Sequence, residues 1–196
     1  MSAVLLLAGR PMAAARVVLL GAGFTLAVGL RVAVGAPDVA RSTGGGLAFG
    51  VALLALAFIA GVRVQLSWRA VAYGIGGALL LSAPLVLRSA LWTRPGLSAQ
   101  HFWSWAAAVT VVVLAEELFL RGALFDAVSA LAGSGPAVAV GAVGFALLHV
   151  PLYGWKVVPL DLVVGLILGE LRRTTGTPVA PAITHLGADV TAWFLR

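Results

Sequence analysis

Residues 102–121 read FWSWAAAVTVVVLAEELFLR. From Phe102 to Ala115 the stretch carries no charge, and it is of the length that a membrane helix needs, roughly 20 mostly apolar residues. Yet Glu116 and Glu117 stand inside its far end and Arg121 closes it. An ionisable side chain in hydrocarbon costs at least ~2.5–3.5 kcal/mol, so it is rare there unless it has a partner or a task. Glu117 and Arg121 are four apart, on one helical face and close enough to pair. Glu116 is turned about 100° from Glu117, so one arginine does not serve both. The surplus carboxylate is either free to act as a general base or the second member of a structural ion pair at a helix end.

Six further apolar runs surround this one: Ala13–Leu30, Gly44–Val62, Ala70–Leu87, Pro136–Val150, Val157–Leu171 and Pro178–Leu195. Single charges flank them, Arg16 and Arg31 around the first, Arg63 after the second and Arg88 after the third. Gly133–Pro136 is a break. Residues Gly122–Ala132 would make the fourth helix about 50 Å long if they extended it, so a bend near Gly122 and a short surface helix are expected. The chain has 196 residues, 61% of them hydrophobic and 10% charged, where a soluble domain is about half apolar and about a quarter charged. The expected fold is all-α, a polytopic membrane bundle of about seven helices (six to eight) around a polar intramembrane cavity. Residues 1–196 read as one integral membrane domain, with generic spans in 1–100 and the chemistry in 102–196. Met1–Ala40 reads as a retained first span, because Arg31 interrupts the apolar core that a cleaved signal peptide would need.

The net charge of +6 does not point to nucleic acid. Twelve Arg and one Lys lie singly between apolar runs, a membrane-flank pattern whose partner is the lipid bilayer. They do not orient the chain. With the N-terminus inside, Arg10, Arg16, Arg63, Arg69, Arg172 and Arg173 oppose Arg31, Arg41, Arg88, Arg94, Lys156 and Arg196. Trp68, Trp92, Trp103, Trp105, Trp155 and Trp193 all fall near span ends, as interfacial tryptophans do. With no cysteine, disulfides, Cys-ligated zinc and a thiol nucleophile are excluded.

Other polar residues lie within or beside the spans. His149 closes the fifth, either as an interfacial histidine bonded to a carbonyl or as a reactive group. His185 and Asp189 are four apart in the seventh. Asp189 either orients a working histidine or completes a buried pair that holds helices together. Asp161, beside Lys156, reads as a helix-start residue. His101 reads as interfacial, and Glu170, Arg172 and Arg173 as a solvated helix end. At ~1.5 Å per residue Glu116 and His185 come out at similar depth, roughly 10 Å from one membrane face, with Asp189 and His149 within reach of them.

In chain order the set is EExxxR at Glu116–Arg121, FxxxH at Phe145–His149, and HxxxN at His185–Asp189 with Asp in the Asn place. It resembles the CAAX-protease and bacteriocin-processing (CPBP or ABI) family of intramembrane proteases, which includes the Ras-converting CAAX endopeptidases. The likeness covers about Phe102–Arg196. It implies hydrolysis of a peptide bond in a membrane-associated or C-terminal, CAAX-like peptide. By that match Glu116 is the general base, His149 its partner in activating water, and His185 and Asp189 the oxyanion pair. Glu117, Arg121 and Phe145 would be supporting.

Asp189 departs from the pattern, because a carboxylate has no N–H to donate. It must be protonated, orient His185, or bind a metal. Glu116, His149, His185 and Asp189 form a conceivable zinc set, but no HExxH occurs and the metal-free reading is favoured. The alternatives to a protease are a non-catalytic bacteriocin-immunity or scaffold protein, and a proton-coupled transporter built on the same residues. The expected location is a bacterial plasma membrane.

Overall fold

Glycine punctuates the second half of the chain. Gly133, Gly154 and Gly176 have φ of 92°, 78° and 74°, backbone that side chains with a Cβ rarely adopt. Each ends a helix, and the next begins within a few residues. The computed structural model describes residues 10–89 and 102–195. Regular structure among them is helical: α1 (Arg10–Gly35), α2 (Thr43–Ile59), α3 (Trp68–Ser89), α4 (Phe102–Glu117), a π-helical segment (Leu118–Leu124), α5 (Phe125–Ala132), α6 (Ser134–Tyr153), a 3-10 turn (Trp155–Val157), α7 (Val158–Thr175) and α8 (Val179–Phe194). Each expected span has its helix, and α5 is the addition. Pro11–Gly35, Trp68–Leu87 and Ser134–Tyr153 are long and apolar enough to cross a membrane, and α2 is a shorter apolar helix.

Several boundaries differ from the sequence reading. α1 does not stop at Arg31 but runs to Gly35, because nothing before the Gly35-Ala36-Pro37 stretch breaks a helix. α6 runs through Pro151 to Tyr153; in the last turn a proline forfeits little helical bonding. The break at Gly133–Pro136 shrinks to Gly133 alone. At Gly122 the backbone stays helical and widens from α to π geometry, so the expected separate surface helix is instead a buried continuation. Phe125, Ala127 and Val128 of α5 pack among α1 and α6. The readings of Trp92, Arg94, His101 and Arg196 lie outside the described residues.

α4 lies between α2 and α8, while α3 packs most extensively on α8 and α6 on α7. Glycine permits the α3–α8 approach. A Cβ on Gly74 would stand 2.7 Å from Ile183 Cβ, and one on Gly77 would run into Thr184 Oγ1. Thr184 Oγ1 donates to Gly74 O at 3.0 Å, and Ser82 Oγ to Thr191 Oγ1 at 2.9 Å. Trp105 of α4 stacks on Trp193 of α8, ring centroids 4.3 Å apart, so this pair is an internal clasp as well as an end marker. Trp68, Trp103 and Trp155 are exposed.

The π segment is the centre of the molecule. Phe119–Leu124 are buried, and the segment touches α1, α2, α5, α6 and α7. Outward faces carry apolar side chains such as Leu19 and Leu26 on α1, Phe58 on α2, and Leu79 and Leu80 on α3. Exposed apolar area on this scale suits lipid contact and would be a liability in water.

Candidate functional site

Glu116 and Glu117 end α4 and are 2% and 0% exposed. Glu117 Oε1 accepts from Arg121 Nη1 at 2.8 Å, the i,i+4 pair that the spacing predicts. The same oxygen stands 2.9 Å from His185 Nδ1. A carboxylate only accepts, so Nδ1 is the donor and the other ring nitrogen is turned away from Glu117. His185 Nε2 faces Asp189 Oδ2 at 3.8 Å, beyond hydrogen-bond length. Orientation of His185, expected from Asp189, is therefore set chiefly by Glu117.

Phe145 lies among three of the other groups. Arg121 Cζ sits 4.9 Å from its ring centroid. The His149 and His185 rings meet it edge-on, at 4.7 and 5.2 Å. Arg121 Nη2 donates to Gly165 O of α7 at 3.3 Å, so the guanidinium ties α7 to the end of α4. His149 Nδ1 donates to Phe145 O at 3.0 Å, which leaves Nε2 with its lone pair in the neutral ring. The carbonyl-bonded reading of His149 is thus met, and the bond frees the nitrogen that chemistry would use.

Three residues join the cluster that the sequence reading placed elsewhere. Arg31, taken as a span boundary, is buried inside α1 with Nη1 3.7 Å from Glu116 Oε1. The carboxylate that spacing left without a cation has one from a remote helix. Asp161, taken as a helix-start residue, points Oδ2 at His149 Nδ1 from 3.4 Å. Arg172, taken as solvated, reaches back 51 positions to donate from Nε to Arg121 O at 2.6 Å. One signal existed for Arg31: helix-breaking residues follow only at Gly35–Pro37, so a helix ended by breakers and not by the first charge would have enclosed it. Asp161 and Arg172 had no local signal. Glu170 and Arg173 do form an exposed ion pair, at 2.7 Å.

The expected polar centre is a packed cluster of side chains. Among the described residues no three of Glu, Asp and His come together as metal ligands. His185 Nδ1 is committed to Glu117, and His149 Nδ1 to a carbonyl. In this arrangement the Glu116, His149, His185 and Asp189 zinc set does not assemble.

Chemically, the cluster offers a buried carboxylate beside an arginine, an imidazole with a free nitrogen, and a second imidazole held between two carboxylates. Residues 98–191 match the family model described as type II CAAX prenyl endopeptidase Rce1-like. The match takes in Glu116 through Asp189 and stops short of α1–α3. No curated protein and no solved structure matches the chain.

Proposed function

The C-terminal half of the chain, residues 98–191, is of the Rce1-like, type II CAAX prenyl endopeptidase family, and from that premise we propose that this integral membrane protein is a peptidase hydrolysing a membrane-associated or C-terminal, CAAX-like peptide by carboxylate-activated water. The observation that carries the reading is the hydrogen bond from His185 Nδ1 to Glu117 Oε1, 2.9 Å long and 68 positions apart in sequence. It joins the first and last motifs next to the base candidate. Glu116 takes a proton from water as the oxygen attacks the carbonyl carbon, and later delivers it to the leaving amine. His149 steers that water through Nε2. An imidazolium at His185, held by Glu117 and Asp189, offers Nε2–H to the carbonyl oxygen as negative charge gathers there. No step requires a metal, and the membrane is a bacterial plasma membrane in this reading.

The test is cleavage of a proteome-derived peptide library by the purified chain in liposomes, read by mass spectrometry. Glu116→Gln and His149→Ala should each lower turnover by about 10²–10⁴-fold, the usual worth of general acid–base catalysis. A zinc chelator should change nothing. Loss with chelator and recovery with zinc would replace the metal-free mechanism. Equal cleavage by wild type and both variants would remove these residues from the chemistry. Proton-driven transport without cleavage would favour the transporter.

A further inference from the structure

Arg31 lies outside the matched residues 98–191, yet its guanidinium faces the base candidate. Nη1 is 3.7 Å from Glu116 Oε1, and the buried Phe49 ring of α2 lies 5.0 Å from Cζ. The backbone that carries it is fixed where α1 and α2 meet: a Cβ on Gly45 would stand 3.0 Å from Arg31 O and 2.9 Å from Gly35 Cα. The residue is 9% exposed. Neither Nε nor Nη1 has a hydrogen-bond partner among the described residues. At 3.7 Å the contact with Glu116 is electrostatic and not a hydrogen bond. Arg121, five positions beyond Glu116, instead gives Nη1 to Glu117 and Nη2 to Gly165 O. Buried donors of a charged group left open are costly to keep, and they call for an acceptor that arrives later.

The hydrolytic reading, on which this inference rests, supplies that acceptor. As water attacks, its proton passes to Glu116, its oxygen bonds to the carbonyl carbon, and the C=O electron pair moves onto oxygen. One negative charge thereby leaves the Glu116 carboxylate and appears on the neighbouring oxyanion. When the pair returns, the C–N bond breaks and the amine departs with the proton from Glu116. Throughout, the charge on Arg31 is constant. We propose that Arg31 is a catalytic residue contributed by α1, whose open Nε–H and Nη1–H bind the oxyanion formed beside Glu116. Such donors are also needed because Asp189, as a carboxylate, has none to give. An interaction that is only a 3.7 Å ion pair in the resting site and a charge-assisted hydrogen bond in the transition state raises turnover without tightening substrate binding.

The experiment uses the full chain in liposomes, a peptide that wild type cleaves, the same peptide as a C-terminal amide, and its phosphonamidate analogue, a tetrahedral anion. Arg31→Met should lower kcat by about 10²–10³-fold, the worth of an oxyanion donor, with KM within about threefold. The variant should bind the phosphonamidate more weakly by a matching factor, and its thermal unfolding in detergent should not fall, because no hydrogen bond is lost. Arg31→Lys keeps the cation without the fork and should recover about tenfold. Turnover of Arg31→Met within about threefold of wild type overturns the inference. So does a loss confined to KM that the amide peptide abolishes, which makes Arg31 a receptor for the substrate carboxylate. If the methionine variant does not fold, Arg31→Lys decides alone: kcat lowered with KM unmoved supports the role, and wild-type kcat overturns it. A wild-type protein that cleaves nothing overturns the hydrolytic reading itself, whereas cleavage indifferent to Arg31 overturns only this inference.

Discussion

Glu116 and Glu117 are adjacent and both buried, but their surroundings assign them different work. Glu117 Oε1 is shared by Arg121 at 2.8 Å and His185 at 2.9 Å. Glu116 has no such double anchorage, and faces Arg31 across 3.7 Å. Removing one member of a buried ion pair leaves the other charge uncompensated, at about 3–5 kcal/mol. Arg121, 1% exposed, would be stranded in that way. Glu117→Ala should therefore lower the unfolding temperature in detergent markedly and lower cleavage with it, because His185 loses the partner that holds its ring. Glu116→Gln should abolish cleavage with little change in unfolding temperature. Equal destabilisation by both variants would contradict this division. Spacing alone made Glu117–Arg121 legible, since both members lie on one helix. The partners of His185 and Glu116 were not legible, because a helical wheel ranks residues of one helix and says nothing of a histidine 68 positions away.

The π segment converts the end of α4 into a platform for the site. A π turn is rare and tends to mark function, and here the C-terminal end of α7 secures it. Arg172 donates from Nε to Arg121 O and from Nη2 to Asp126 Oδ1, both at 2.6 Å, and its Cζ covers the Phe125 ring at 4.7 Å. One guanidinium thus spans the junction of the π segment and α5. Hydrogen bonds to charged groups are worth about 1.5–3 kcal/mol each. Asp126 is half-exposed, so the pair with it is screened and the clamp as a whole should be worth about 2 kcal/mol. Arg172→Met should then speed amide hydrogen exchange across residues 118–125 roughly thirtyfold, as expected if they open as a local unit. Arg172→Lys should not restore protection, since an ammonium cannot hold two acceptors in one planar fork. Unchanged exchange in the methionine variant would show that packing alone keeps the segment π-helical. A change of geometry near Gly122 was legible from length, because one unbroken helix to Ala132 would be too long. Its form was not: α and π turns differ by one residue in the bonding step, and an all-apolar run such as Leu118–Leu120 carries no phase to reveal the difference.

Across the whole molecule, the polar residues inside apolar runs mark the site, because hydrocarbon tolerates them only where they meet one another. That logic led to Glu116, Glu117, Arg121, His149, His185 and Asp189, and failed for Arg31, where a charge between two apolar runs was taken as the edge of a helix. The error had a consequence for domain organisation. Residues 1–100 looked like generic spans, whereas α1 supplies Arg31 and α2 packs on both α4 and the π segment. The absence of cysteine makes this arrangement testable without background. A Cβ on Gly50 of α2 would lie 3.8 Å from Ala115 Cβ of α4, with no other contact under 3.6 Å. Disulfides span Cβ separations of about 3.5–4.5 Å, so Gly50→Cys with Ala115→Cys should close within one chain under a membrane-permeant oxidant. The product should migrate as a faster monomer on a denaturing gel. Gly76→Cys with Ala115→Cys is the control and should stay open, since nothing lies within 4 Å of a Cβ at Gly76. A bridge only between chains, or none, would contradict the packing of α2 on α4. Because the bridge joins positions already in contact next to Glu116, the closed protein should keep cleavage within a few-fold of the reduced one, as a site built by both halves of the chain requires.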